Sequence, residues 1–121
     1  MRIFVNCSNH PSERWLETQR KEAEVYGEIR DVNFPVVPSD ATSQQLDKIV
    51  EDTFQQIMNN KPEAVMCMGE FVVCYRLVQK LKEQEIKVLA SCSERKSKEY
   101  IDENGFIKKE AVFMFRGFRE Y

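Results

Sequence analysis

Glycine is scarce in this chain: four in 121 residues, at positions 27, 69, 105 and 117. Neither G-x-G-x-x-G nor the phosphate-binding P-loop pattern can be written with them, which removes the usual dinucleotide and nucleoside-triphosphate sites. No G-x-S-x-G elbow exists either, so esterase chemistry of that kind is excluded. There is one histidine, His10, which rules out a histidine-rich metal site. The four cysteines, Cys7, Cys67, Cys74 and Cys92, include no C-x-x-C pair, so a zinc knuckle or dithiol redox motif is not expected and the thiols read as free. A thiol-phosphatase loop needs five residues between Cys and Arg, whereas six separate Cys7 from Arg14. No apolar run approaches the roughly 20 residues of a membrane span, and the first residues turn polar too soon for a signal peptide. Excess charge is also missing. The net charge of −2 argues against a protein that holds long nucleic acid by charge alone.

What is present is a regular alternation of strand and helix patterns. Ile3, Phe4 and Val5 form a contiguous apolar run, as in a strand covered on both faces. Pro11 suits a first helical turn, with Trp15, Leu16, Gln19, Ala23 and Tyr26 at helical spacing and Gly27 as the stop. Residues 28–34 alternate as a second strand, ended by Pro35 and Pro38. Thr42 and Gln45 match a capping box ahead of the stripe Leu46, Ile49, Val50, Phe54 and Ile57. Residues 64–68 read as a central strand, 70–84 as a third helix and 86–90 as a fourth strand. Asn104-Gly105 is a hairpin signal joining residues 95–101 to a last strand at 110–118. The expectation is one α/β domain over residues 1–121. It is three-layered and Rossmann-like (flavodoxin-like), with a mainly parallel sheet in the order 2-1-3-4 and a C-terminal β-hairpin at the fourth-strand edge.

Sheets of this kind place ligands beyond the carboxyl ends of the strands at the switch point, here between strands one and three. Three segments should converge there: Cys7-Ser8-Asn9-His10, Gly69-Glu70-Phe71, and Ser91-Cys92-Ser93-Glu94-Arg95. Ser8, Asn9 and His10 precede a predicted helix start, where free amides favour an anion; a plain capping role is the alternative. His10 could serve as general acid or base near neutral pH, or could simply be a surface residue. Gly69 allows close backbone approach, or only a tight turn. Glu70 fits the preference for acids at a helix start, and could also select hydroxyl or amino groups. Ser91 and Ser93 offer hydroxyls, and Arg95 is suited to pairing with phosphate, with a surface salt bridge as its alternative. The aromatic C-terminal strand, Phe113 to Tyr121, is apolar on both faces and needs cover from a helix or a second subunit.

The strings Val65-Met66-Cys67-Met68-Gly69-Glu70-Phe71, Ala90-Ser91-Cys92-Ser93-Glu94-Arg95 and Phe118-Arg119-Glu120-Tyr121, with the opening Ser8-Asn9-His10-Pro11, resemble the small CRISPR-associated proteins of type III systems. Those proteins are related to the CRISPR-associated Rossmann-fold domains. The resemblance implies a cytoplasmic homodimer of antiviral defence that binds a cyclic oligoadenylate, with cyclic tetra-adenylate the expected ring, at the dimer interface. Some of those proteins cleave the ring as metal-independent ring nucleases and others only bind it, so the resemblance leaves both activities open here. By the same resemblance Asn9 and His10 position or protonate, Gly69 lets the ring approach, and Ser93 and Arg95 hold phosphate. No cofactor, metal, membrane or long nucleic acid is expected. A non-enzymatic protein-interaction module on a flavodoxin-like frame is the alternative.

Overall fold

A computed structural model describes residues 1–121. The chain is an α/β fold of five strands and three α-helices: β1 (Ile3–Cys7), α1 (Glu17–Glu24), β2 (Glu28–Asp31), α2 (Ser43–Met58), β3 (Ala64–Cys67), α3 (Phe71–Glu83), β4 (Lys87–Ile101) and β5 (Ile107–Glu120). The strands form one mixed sheet in the order β2-β1-β3-β4-β5. The first four run parallel and β5 is antiparallel to β4. The expected order of the parallel strands therefore holds, with the last strand at the β4 edge.

Contiguous apolar residues in β1 and β3 arise because both faces of the sheet are covered. Ile3, Val5 and Cys7 join Val65, Cys67 and the buried faces of α2 and α3 in a core of 15 residues. Phe4 points the other way and joins Ala23, Ala64, Met66 and Leu89 in a core of 5, with Trp15, Tyr26 and Phe118 packed against it. That second face is thinly covered because α1 has only 8 residues. Gly27 lets the chain pass close to β1: a Cβ there would lie 2.5 Å from the Arg2 backbone.

Two elements differ from the sequence expectation. The first helix does not run from Pro11 to Tyr26. A 3-10 turn covers Ser12–Arg14, Trp15 and Leu16 are extended, and α1 starts only at Glu17. The interruption turns the Trp15 indole inward, edge-on to Phe4 at 6.3 Å between ring centroids. The Ser12 carbonyl accepts from the Trp15 amide at 3.1 Å and from the Arg20 guanidinium at 2.6 Å. The second difference is at the sheet edge. β4 does not stop near residue 90; it continues to Ile101 because β5 supplies backbone partners along its length, from Leu89↔Glu120 to Ile101↔Ile107. One irregularity, between Cys92 and Ser93, marks where the pair leaves the body of the domain. The turn over Asp102–Phe106 closes it, with the Asp102 carboxylate accepting from the amides of Asn104 and Phe106, both at 2.9 Å.

Candidate functional site

The thin face of the sheet holds a crevice of about 670 Å³ at the carboxyl ends of β1, β3 and the parallel part of β4. This is the switch point, because β2 and β3 lie on opposite sides of β1. Asn9, His10, Pro11 and Arg14 come from the segment after β1. Trp15, Leu16 and Gln19 come from the break before α1 and its first turns. Met66, Met68 and Gly69 come from β3 and its exit, Ser91 and Ser93 from β4, and Phe113 and Phe115 from β5.

The loop after β1 is held from below by buried polar groups. Asn6, 1% exposed, donates from Nδ2 to the His10 carbonyl at 2.9 Å and to Asp31 Oδ1 at 3.1 Å. Ser8 Oγ donates to Asn6 Oδ1 at 2.7 Å. Trp15 Nε1 reaches the same His10 carbonyl at 3.3 Å. Burying an asparagine this deeply is tolerable because its amide is satisfied, and the loop's path is fixed as a result. The His10 backbone is thereby anchored while its side chain stays exposed at the crevice mouth.

The donors inside the crevice meet soft acceptors. Ser91 Oγ and the Ser91 amide both donate to Met68 Sδ at 3.2 Å, and Gln19 Nε2 donates to Met66 Sδ at 3.7 Å. A thioether is a weak acceptor. These groups can therefore improve their hydrogen bonding when an oxygen or ring nitrogen enters. Around them stand Trp15, Phe113 and Phe115, with Arg14 as the cation. Flat rings, two donors on weak partners and one guanidinium suit a heteroaromatic ligand carrying phosphate.

Of the residues singled out in the sequence, Asn9, His10, Gly69, Ser91 and Ser93 come together in this crevice. Four others take different places. Ser8 is buried beneath the loop and bonds Asn6 rather than capping a helix. The amides ahead of the 3-10 turn are not a free anion site, because Asp31 Oδ2 accepts from the Ser12 amide at 3.0 Å. Glu70 caps α3: its two carboxylate oxygens accept from the amides of Val72 and Val73 at 3.1 and 2.8 Å, which occupies the group that was to select a ligand. Phe71 is 90% exposed and lines no part of the crevice. Arg95 lies beyond it on the projecting part of β4, 6.0 Å from the Phe113 ring. The close approach at Gly69 is made by the protein itself, since a Cβ there would lie 2.5 Å from the Phe34 ring.

Arg14, Trp15, Gln19, the two methionines and the two phenylalanines are wall residues that the sequence reading did not assign. The interruption before α1 brings in the first three, and no local signal in the sequence announces it. Phe113 and Phe115 were visible as an aromatic strand in want of a partner.

Behind the crevice lies a cluster of thiols. Cys67 and Cys74 approach to 3.8 Å between sulfurs, Cys74 lies 3.7 Å from the Tyr121 hydroxyl, and that hydroxyl donates to the Cys67 carbonyl at 2.6 Å. All four cysteines are free, and Cys7, Cys67 and Cys74 are buried. The Cys74 thiol is pulled down to about 6 by the hydrogen bond from Cys67, with smaller help from Tyr121 and the Gly69 backbone against burial. Cys67, which bonds both Cys7 and Cys74 and is itself buried, moves the other way. No group of three His, Cys, Asp or Glu side chains is arranged to hold a metal ion, and no helix is long and apolar enough to cross a membrane.

A comparison with protein families matches residues 2–119 to the uncharacterized protein MJ1673 family. The chain belongs to that family. The match runs from before β1 to the penultimate residue of β5 and includes every residue that lines the crevice. A comparison with curated proteins finds no match.

Proposed function

We propose that the crevice binds a cyclic oligoadenylate at a dimer interface, with cyclic tetra-adenylate the first ring to test. The carrying observation is that Ser91 and Gln19 donate to methionine sulfurs beside the rings of Trp15, Phe113 and Phe115. An adenine stacked on those rings brings nitrogen acceptors that outcompete a thioether. Arg14 faces the phosphate, in the role first assigned to Arg95. The volume of about 670 Å³ falls in the usual range for small-molecule sites, roughly 300–1,000 Å³. The strand order is consistent with a flavodoxin-like frame; a role in cytoplasmic antiviral signalling belongs to the same proposal and rests on the sequence resemblance alone.

Ring opening needs only groups in the crevice, the ligand and water. A ribose 2′-hydroxyl attacks its own 3′-phosphorus and passes its proton to a water molecule, the bond to the neighbouring 5′-oxygen breaks, and the His10 imidazolium gives that oxygen its proton, regaining one from water afterwards. The product is a linear oligoadenylate with a 5′-hydroxyl at one end and a 2′,3′-cyclic phosphate at the other. Asn9, next to His10 on the anchored loop, orients the phosphate. Arg14 offsets the charge that grows on it.

The chain's one tryptophan, Trp15, lines the crevice and so reports binding directly. Cyclic tetra-adenylate should quench its emission saturably at micromolar concentrations. Arg14→Ala should weaken binding by about tenfold, equivalent to about 1.4 kcal/mol. His10→Ala should still bind but leave the ring intact. Absence of quenching and of retention with cyclic tri-, tetra- and hexa-adenylate alike would sink the proposal. It would favour the interaction-module reading, for which the exposed apolar residues on the projecting β4–β5 pair are the supporting observation.

A further inference from the structure

Beyond the irregularity at Cys92/Ser93, the antiparallel pair stands away from the domain as an arm. Ser93–Ile101 and Ile107–Phe113 are exposed without exception. Two strands alone are marginal in water, yet this arm leaves Ile101, Phe106 and Ile107 at 72%, 66% and 70% exposure.

The register sets which side chains share a face, since residues directly opposite in an antiparallel pair point the same way. Ser93↔Phe115 is the crevice wall. The same face then continues through Arg95↔Phe113, Ser97↔Ala111, Glu99↔Lys109 and Ile101↔Ile107. Small residues occupy its centre. One step inward lie a cation and an aromatic ring, with Arg95 6.0 Å from the centre of Phe113. One step outward lies the Glu99–Lys109 ion pair at 3.6 Å. The tip is aliphatic.

Reversed end for end, this pattern is its own complement. Two copies laid face to face about a two-fold through Ser97 and Ala111 set Arg95 against the partner's Glu99. Phe113 then lies against the partner's Lys109, and Ser93 with Phe115 against the partner's Ile101 and Ile107. An ion pair and a cation–ring contact each occur twice, and the central small residues allow the strands to approach.

We propose that this arm face is where two copies of the chain associate, each closing the mouth of the other's crevice with its Ile101/Ile107 tip. Closure of the crevice rests on reading it as the oligoadenylate site; the association itself does not.

The test is a charge exchange on the full chain, read by sedimentation equilibrium. The wild type should be a dimer at micromolar concentration. Arg95→Glu and Glu99→Arg should each weaken self-association by about tenfold or more, roughly 1.4 kcal/mol or above, because each sets like charges opposite one another twice. Mixing the two variants should restore a dimer, now of unlike chains, because both contacts regain opposite signs. Local effects within each arm are identical alone and mixed, so recovery isolates the contact between copies. A monomeric wild type, a dimer indifferent to both reversals, or a mixture that fails to recover would each overturn the interface. Trp15 quenching by cyclic tetra-adenylate, measured in parallel, separates the two proposals. Charge exchange without quenching leaves the interface and removes the ligand. Quenching of a wild type that stays monomeric does the reverse.

Discussion

Cys74 shows how strongly single residues are set by their neighbours here. On sequence it is an apolar position on a helix; in the fold its sulfur meets Cys67 and lies beside the Tyr121 hydroxyl. Its pKa falls from the ordinary 9.0 to about 6, chiefly through the hydrogen bond from Cys67. Between those values the folded protein holds fewer protons at this site than the unfolded chain. Stability should therefore climb as pH rises from about 6 to 9, and that gain should be lost as pH falls back through about 6. Denaturant midpoints across that window should show the slope in the wild type, and Cys74→Ala should flatten it. An unchanged slope in the variant would assign the titration elsewhere. Candidate-site residues were legible at this scale wherever they directly follow a strand: Asn9, His10, Gly69, Ser91 and Ser93 needed only the topology to be placed. Asn6 was not legible, because a polar residue inside a strand gives no sign that it will be buried and carry a loop. For Glu70 the helix-start reading is the one the fold realises. An acid at a helix start is available to a ligand only if it is not already the cap, and its two oxygens are both engaged.

Helix α2 is the element most plainly written in the sequence. Thr42 Oγ1 accepts from the Gln45 amide at 3.2 Å and Gln45 Oε1 accepts from the Thr42 amide at 2.8 Å, as the capping box required. Thr42→Ala should cost about 1 kcal/mol in a denaturant titration, while leaving the crevice on the other face of the sheet untouched. A loss within error of zero would mean that packing of Val50, Thr53 and Ile57 alone defines the helix start. The segment ahead of α1 was illegible for a contrasting reason. Trp15 and Leu16 fit the helical spacing, but both are extended in the fold, and the indole packs edge-on to Phe4 instead. Arg20 adds a second donor to the Ser12 carbonyl, which already accepts from the Trp15 amide. The reach of β4 was hidden in a similar way. Its outer half is polar and charged, and it is a strand only because β5 lies alongside it.

Across the whole molecule the two ends of the chain differ in how they are held. Every buried apolar residue lies between Ile3 and Leu89. Hydrogen exchange should therefore find the slowest amides in β1, β3 and α3, and much faster ones in Lys96–Val112 when the protein is dilute. Those arm amides should gain protection as concentration rises; equal exchange at all concentrations would indicate an arm that stays solitary. Strand order was legible because three rounds of strand and helix admit few parallel arrangements, whereas the projection of the last two strands depends on contacts no local pattern encodes. The position of β1 has a kinetic consequence. It sits between β2 and β3, and its pairing of Phe4 with Ala64 joins residues 60 positions apart, so the centre of the sheet must await a long loop closure. The β4–β5 pairing is local and needs no such search. During refolding the arm can zip up while the rest of the sheet is still open, presenting bare strand edges and apolar side chains together. Losses to aggregation on refolding should be concentrated in that interval, and should grow with protein concentration.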